Sequence, residues 1–223
     1  MPAIEQARGA TIVTKFLFPA RAWIAAVICL AALTVNASNV AANSPPQAAA
    51  QFMEQLSQQA LGLLRDQSLS LSERETKVRR LLEANFDLNL IGRYVLGPAW
   101  RKASPEQRET YLRLFREWVV RTYARRLGGY TGQTFEIVGA KPLGNTDAIV
   151  DTKISRPSGP PILAGWRVRN TDGHFKILDV MVQGVSMVVT QRSEFRNVVS
   201  RKGLDGLIEI LRLQVSKFAA SGN

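Results

Sequence analysis

Hydrophobic residues recur every three or four positions through residues 48–127, which is the spacing of one face of a helix. Four helices are predicted in this stretch. The second starts near Ser72, where Glu75 completes a capping-box pattern. Asp87 is a suitable cap for the third, and Ser104, which a proline follows, marks the start of the fourth and longest. The first half of the domain is therefore predicted to be helical.

From residue 133 the pattern changes to alternating apolar and polar positions, which is typical of strands. Short turn segments rich in proline and glycine separate four such runs, at residues 133–141, 148–156, 162–169 and 174–187. Short connections between consecutive strands favour an antiparallel sheet. Two more helices follow, separated at Gly203. Helices that are segregated from an antiparallel sheet define the α+β class.

The first 42 residues have the order of a secretory signal peptide. Basic residues precede an apolar run at residues 22–35, and small and polar residues follow it. We expect residues 1–42 to be cleaved, residues 43–47 to be a linker, and residues 48–219 to form a single domain. An uncleaved membrane anchor is the alternative, although the run is shorter than the ~20 residues that a span requires.

The chain has 29 basic and 18 acidic residues, with a formal net charge of +11. Such an excess favours an acidic partner, which leaves nucleic acid, an anionic membrane and an acidic protein as candidates. Export argues against nucleic acid. Cys29 lies in the expected leader, so the mature chain has no thiolate metal site or disulfide. With His174 as its one histidine, the chain is expected to bind no metal or cofactor.

The sequence contains neither a phosphate-binding glycine loop nor a serine nucleophile elbow. Asp179 interrupts an apolar strand and has two interpretations. It could be a buried acid or base in a small cone-shaped α+β enzyme. It could instead be a structural aspartate that pairs with an arginine or a backbone N–H. Because no second catalytic group accompanies Asp179, we expect a protein that is not an enzyme.

Four segments together resemble one family: residues 96–108 (LGPAWRKASPEQR), 130–135 (YTGQTF), 183–195 (QGVSMVVTQRSEF) and 201–207 (RKGLDGL). The chain is similar in these to the MlaC or toluene-tolerance family, the periplasmic lipid-binding component of ABC transport systems. The resemblance implies a curved four-stranded sheet wrapped by helices, with an apolar pocket for acyl chains. It also implies that Val185 and Met187 lie on a strand that lines the pocket.

The apolar faces of the predicted elements add further candidates for the pocket wall: Tyr94, Phe115, Trp118, Val119 and Trp166. Periodicity alone does not separate a ligand pocket from an ordinary core. The resemblance implies a carrier that moves a phospholipid, or a hopanoid as in the family's HpnM branch, between the outer membrane and an inner-membrane ABC transporter. The implied partners are that transporter with its membrane-anchored lipid-binding subunit, and an outer-membrane lipoprotein and porin complex.

Overall fold

The computed structural model describes residues 45–127 and 132–220, which belong to one compact unit of the chain. The expected leader, residues 1–42, lies outside the described residues. Helices precede the sheet in the order α1 (Pro45–Arg65), α2 (Leu71–Asn85), α3 (Leu88–Leu96), α4 (Pro98–Lys102) and α5 (Pro105–Leu127). Because α1 begins at Pro45, the last three residues of the expected linker 43–47 are helical.

Local capping interactions explain where the helices start. The second helix starts earlier than predicted, because Ser70 and Glu73 form the capping box instead of Ser72 and Glu75. The Ser70 hydroxyl accepts from Glu73 N, and the Glu73 carboxylate accepts from Ser70 N at 2.9 Å. The prediction that Asp87 caps α3 is confirmed, since its carboxylate accepts from Leu90 N at 2.9 Å.

The sheet is antiparallel throughout, with the strands in sequence order: β1 (Thr134–Leu143), β2 (Asp147–Ser155), β3 (Ile162–Thr171), β4 (His174–Val182) and β5 (Val185–Ser186). The sheet has five strands, whereas four were predicted. The difference lies in the last predicted strand, which is two strands in the structure. A turn at Gln183 and Gly184, which both have positive φ angles, separates the expected strand 174–187 into β4 and a two-residue β5.

The last helical element, α6 (Met187–Ala220), follows β5 directly. Gly203 interrupts it with φ 71° and ψ 178°, a backbone conformation that is open essentially to glycine alone. The prediction of two C-terminal helical segments separated at Gly203 is therefore confirmed. No helix within the described ranges has both the length and the apolar character that a membrane span requires.

Apolar side chains form two separate clusters. One lies among α3, α5 and α6 and includes Tyr111, Phe115 and Phe195. The other lies between α1 and one face of the sheet and includes Met53 and Ile177. Phe86, at the end of α2, packs against both clusters. The helical layer thus has an interior of its own, separate from the interior beneath the sheet.

Candidate functional site

A surface hollow of about 410 Å³ lies between α5 and the two halves of α6, and it is partly open to solvent. We name it the α5–α6 hollow. Its volume is within the range of about 300–1,000 Å³ that is typical of small-molecule sites. Most of its wall is apolar, and the lining residues are Trp118, Thr122, Gln191, Glu194, Phe195, Val198, Leu207, Ile210, Leu211, Gln214 and Phe218.

The bend at Gly203 creates this hollow. Gln191 and Phe218 both line it, although they are 27 positions apart in sequence. In an unbroken helix this separation would place them about 40 Å apart, at about 1.5 Å per residue. The two halves of α6 must therefore fold back toward each other, and Gly203 is the residue with non-helical torsion angles between them.

Aromatic side chains form the base of the α5–α6 hollow. The Phe195 ring of α6 lies 5.8 Å from that of Trp118, 6.2 Å from that of Phe115 and 6.3 Å from that of Tyr111. The Tyr111 hydroxyl donates to the Gly92 carbonyl oxygen at 2.9 Å, and burial raises the pKa of this tyrosine. Such packing holds the aromatic wall in one arrangement.

Two of the four polar side chains that line the hollow are exposed, whereas the Thr122 hydroxyl is buried. Glu194 and Gln214 are exposed, and the Gln191 amide donates to the Glu194 carboxylate at 2.9 Å. Within residues 45–127 and 132–220, no three histidine, cysteine, aspartate or glutamate side chains lie close enough together to hold a metal ion. The chemistry that this site offers is the burial of apolar surface next to a polar rim.

Three of the predicted site residues come together in the helical layer. Trp118 lines the hollow, Phe115 is buried beneath it, and Val119 packs against the same cluster. Tyr94 of α3 does not line the hollow and is 37% exposed. Its hydroxyl lies near the Arg169 guanidinium. The pKa of Arg169 is raised mainly by Asp147 and also by this tyrosine.

The remaining predicted site residues belong to the sheet or its edge. Trp166 packs in the cluster beneath α1, and its indole Nε1 donates to the Thr152 hydroxyl at 2.9 Å. Val185 lies on β5 and is 56% exposed. Met187 is the first residue of α6, so its expected position on a strand was wrong. None of the three lines the α5–α6 hollow.

Most of the hollow's wall was not predicted as a site. The C-terminal helices supply Phe195, Val198, Leu207, Leu211 and Phe218, whose periodicity predicts only an apolar helix face. The sequence signal that could have indicated the hollow is Gly203, which lies between two apolar helix faces. A bend at this glycine allows both faces to line the same space. Periodicity cannot show that the faces enclose a hollow instead of packing against each other.

Asp179 holds the start of α6 in place. Its Oδ1 accepts from Val180 N at 2.8 Å and from Val188 N at 3.1 Å, and its Oδ2 accepts from the Ser186 hydroxyl at 2.5 Å. The Ser186 hydroxyl in turn accepts from Val189 N at 3.0 Å. The bonds from Val188 N and Val189 N satisfy backbone N–H groups in the first turn of the helix. The geometry corresponds to the structural interpretation of this aspartate.

An antiparallel sheet beside a separate helical layer with an apolar hollow defines the chain as a small α+β domain. The sequence model of the family described as MlaC protein matches residues 54–213, and the chain belongs to this family. The predicted family and fold class are thereby confirmed.

The proteins that are similar to this chain include two relatives and a solved structure. The intermembrane phospholipid transport system binding protein MlaC of Haemophilus influenzae is 32% identical over 146 residues, which are 64% of this chain and 68% of that protein. The toluene tolerance protein ttg2D of Pseudomonas putida is 25% identical over 129 residues, or 57% of this chain and 60% of that one. None of these names describes an enzyme.

The solved structure is that of a phospholipid-binding protein from Ralstonia solanacearum in complex with a phospholipid. It matches with a TM-score of 0.65 at 22% sequence identity, over 78% of this chain and 98% of that one. At this level of identity the match shows that the two chains share a fold.

Proposed function

We propose that this chain is a periplasmic phospholipid carrier that holds acyl chains in the α5–α6 hollow. The observation that carries the proposal is an apolar hollow, with an aromatic base, in a member of the MlaC family. The name of the Haemophilus relative and the phospholipid in the Ralstonia structure both support a phospholipid as the cargo. A hopanoid would suit the same apolar wall, and identification of the bound lipid separates the two.

The physical need for such a carrier follows from the cost of wetting hydrocarbon. Each acyl methylene that moves from an apolar site into water costs ~0.8 kcal/mol, so a two-chain lipid does not cross an aqueous compartment unaided at a useful rate. An apolar hollow removes this cost for the hydrocarbon that it buries. The head group can remain at the polar rim near Gln191, Glu194 and Gln214, so no cluster of charged ligands is needed.

The wider role that we propose is transport between the outer membrane and an inner-membrane ABC transporter. The expected leader at residues 1–42 supports export to the periplasm, and the relatives' names support a transport system. The proposed partners are the transporter with its membrane-anchored lipid-binding subunit on one side and an outer-membrane lipoprotein and porin complex on the other.

The site can be tested with a matched pair of substitutions from a β-branched aliphatic residue to glutamate. Ile210 is half-buried and lines the α5–α6 hollow, whereas Val185 is exposed at the sheet edge. A carboxylate at position 210 must lose water when an acyl chain binds beside it, which is costly. We expect Ile210→Glu to retain less than about a tenth of the wild-type lipid, and Val185→Glu to retain nearly all of it.

Lipid would be extracted from each purified variant, quantified by mass spectrometry and compared at equal amounts of folded protein, with melting curves as the check on folding. Full loading of Ile210→Glu would contradict the α5–α6 hollow as the lipid site. Loss of loading in Val185→Glu alone would place the cargo at the sheet edge, where the family resemblance predicts it.

A further inference from the structure

A second surface hollow, of about 340 Å³, lies between α2 and α5 on the helical layer. Arginines dominate its lining, and no lysine contributes to it. The lining residues are Arg79, Glu83, Arg113, Arg116, Glu117, Val120 and Arg121. We name this feature the arginine groove. It shares no lining residue with the α5–α6 hollow.

The charges of the arginine groove are only partly neutralised within the protein. Arg121 pairs with Glu117, with 2.7 Å between Nη2 and Oε1, and Arg79 lies 4.0 Å from Glu75. Arg113 and Arg116 are both exposed, and neither forms an ion pair or hydrogen bond within the described part of the chain. Two guanidinium groups are therefore available on one side of the groove for an external anion.

The mixed signs indicate what kind of anion fits. A guanidinium group binds a carboxylate through two parallel hydrogen bonds, and arginine is enriched at protein interfaces where lysine is depleted. Because Glu83 and Glu117 lie among the arginines, a partner with discrete charges complements the groove better than a uniformly anionic membrane does. A protein surface can place its carboxylates against the arginines and avoid the two glutamates. The concave shape also favours an inserted protein segment over a flat lipid surface.

One helix connects the two hollows. Trp118 and Thr122 of α5 line the α5–α6 hollow, while Arg113, Arg116 and Arg121 of the same helix line the arginine groove. A helix with its side chains is only about 10–12 Å across. A partner seated in the groove would therefore contact the helix that forms the wall of the lipid site.

We infer that the arginine groove is the docking site for a carboxylate-rich segment of a membrane-bound protein that exchanges cargo with this chain. The carboxylate chemistry rests on the groove itself. The description of the partner as one that exchanges lipid rests on the proposed function.

The test compares two double charge reversals in the lipid-loaded mature chain. Arg113→Glu with Arg116→Glu alters the arginine groove, and Arg196→Glu with Arg201→Glu makes the same change in net charge at exposed positions of α6. The fluorescently labelled proteins are co-sedimented with membranes of the source cell, with the same membranes after protease treatment, and with protein-free vesicles made from their extracted lipids. Melting curves verify folding.

We expect the wild type and the α6 control to bind the untreated membranes alike, and the groove variant to bind about tenfold more weakly or worse. Wild-type binding should be lost after protease treatment and should weaken in high salt. Equal binding by the groove variant, undiminished binding to protein-free vesicles, or no membrane binding by the wild type would each overturn the inference. Lipid content, measured on the same samples, tests the proposed function separately.

Discussion

The buried carboxylate of Asp147 pairs with two arginines, and its removal should lower the stability of the protein measurably. The Asp147 side chain is 3% exposed and accepts from Arg167 Nε at 2.7 Å and from Arg169 Nε at 2.6 Å. Arg169 Nη2 and the Thr146 hydroxyl each add a bond of 3.0 Å. The change Asp147→Asn removes the negative charge and leaves the two guanidinium groups facing each other.

The magnitude follows from the pKa of Asp147. Burial raises this pKa, but the hydrogen bonds from Arg169, Arg167 and Thr146 outweigh it and lower the pKa from 3.8 to about 2. One pKa unit corresponds to about 1.4 kcal/mol, so the ionised form contributes roughly 2.5 kcal/mol to folding. Because Arg167 and Arg169 are 33% and 29% exposed, solvent screening reduces this electrostatic contribution. We expect Asp147→Asn to lower the free energy of unfolding by about 2 kcal/mol at neutral pH.

The sign of the pH dependence follows from the lowered pKa. The stabilisation is complete above the pKa of the unfolded state and is lost as the pH falls through that of the folded state. The difference between the wild type and Asp147→Asn should therefore be constant at neutral pH and shrink between about pH 4 and pH 2. Urea unfolding, followed by circular dichroism at several pH values, measures both quantities.

Asp151→Asn is the matched control, because Asp151 is 40% exposed and pairs only at 3.1 Å with Lys141, which is 65% exposed. Its effect should stay within about 0.5 kcal/mol. Equal losses of stability in the two variants would contradict a special role for Asp147, as would a deficit of Asp147→Asn that persisted unchanged at the lowest pH.

Three further substitutions test the packing around the site by urea unfolding. Tyr111→Phe removes the donor to the Gly92 carbonyl and should cost about 1 kcal/mol; no change would mean that this carbonyl finds another partner. Asp179→Ala removes the anchor of α6 and should cost about 2 kcal/mol. Gly203→Ala should cost about 1–3 kcal/mol through backbone strain alone, because no atom lies within 4 Å of an added Cβ. A neutral Gly203→Ala would mean that the bend does not need glycine.

Elements set by local interactions were predictable from the sequence. The capping aspartate of α3 and the start of α5 depend on bonds that span three residues, such as Gln107 N to the Ser104 hydroxyl at 3.2 Å. The end of β4 was missed because Gln183 adopts a positive φ angle, which residues other than glycine seldom do. The long strand expected there had no turn signal other than the single Gly184.

The motifs that carry the family resemblance are mainly junctions of the fold. The Arg192 guanidinium lies against Gly97, so that a Cβ at that glycine would be 2.8 Å from Arg192 Nε. The Gln107 amide donates to Asp205 at 2.7 Å, which joins the start of α5 to the second half of α6. Recognition of these motifs therefore predicted the fold correctly, while the lipid-binding role that it implies for Val185 and Met187 stays a prediction.

The Asp147 ion pairs and the α5–α6 hollow could not be predicted from the sequence, because both depend on contacts between residues that are far apart in the chain. Alternation in β3 places Arg167 and Arg169 on the face opposite the apolar residues but does not identify a partner for them. The strand register pairs Arg169 with Asp147, a residue 22 positions away in sequence. The α5–α6 hollow has the same origin, because it depends on a bend at Gly203 and on contacts with α5 that no local pattern specifies.

Identification of the lipid that co-purifies with the mature chain is the sharpest test of whether this protein is a phospholipid carrier. The chain would be expressed with its own leader, purified from the periplasm without detergent, extracted with organic solvent and analysed by quantitative mass spectrometry. We expect roughly one phospholipid for each protein molecule, because ligand sites are few in a protein. A folded protein that yields no lipid, and takes up none from phospholipid vesicles, would contradict the proposed function.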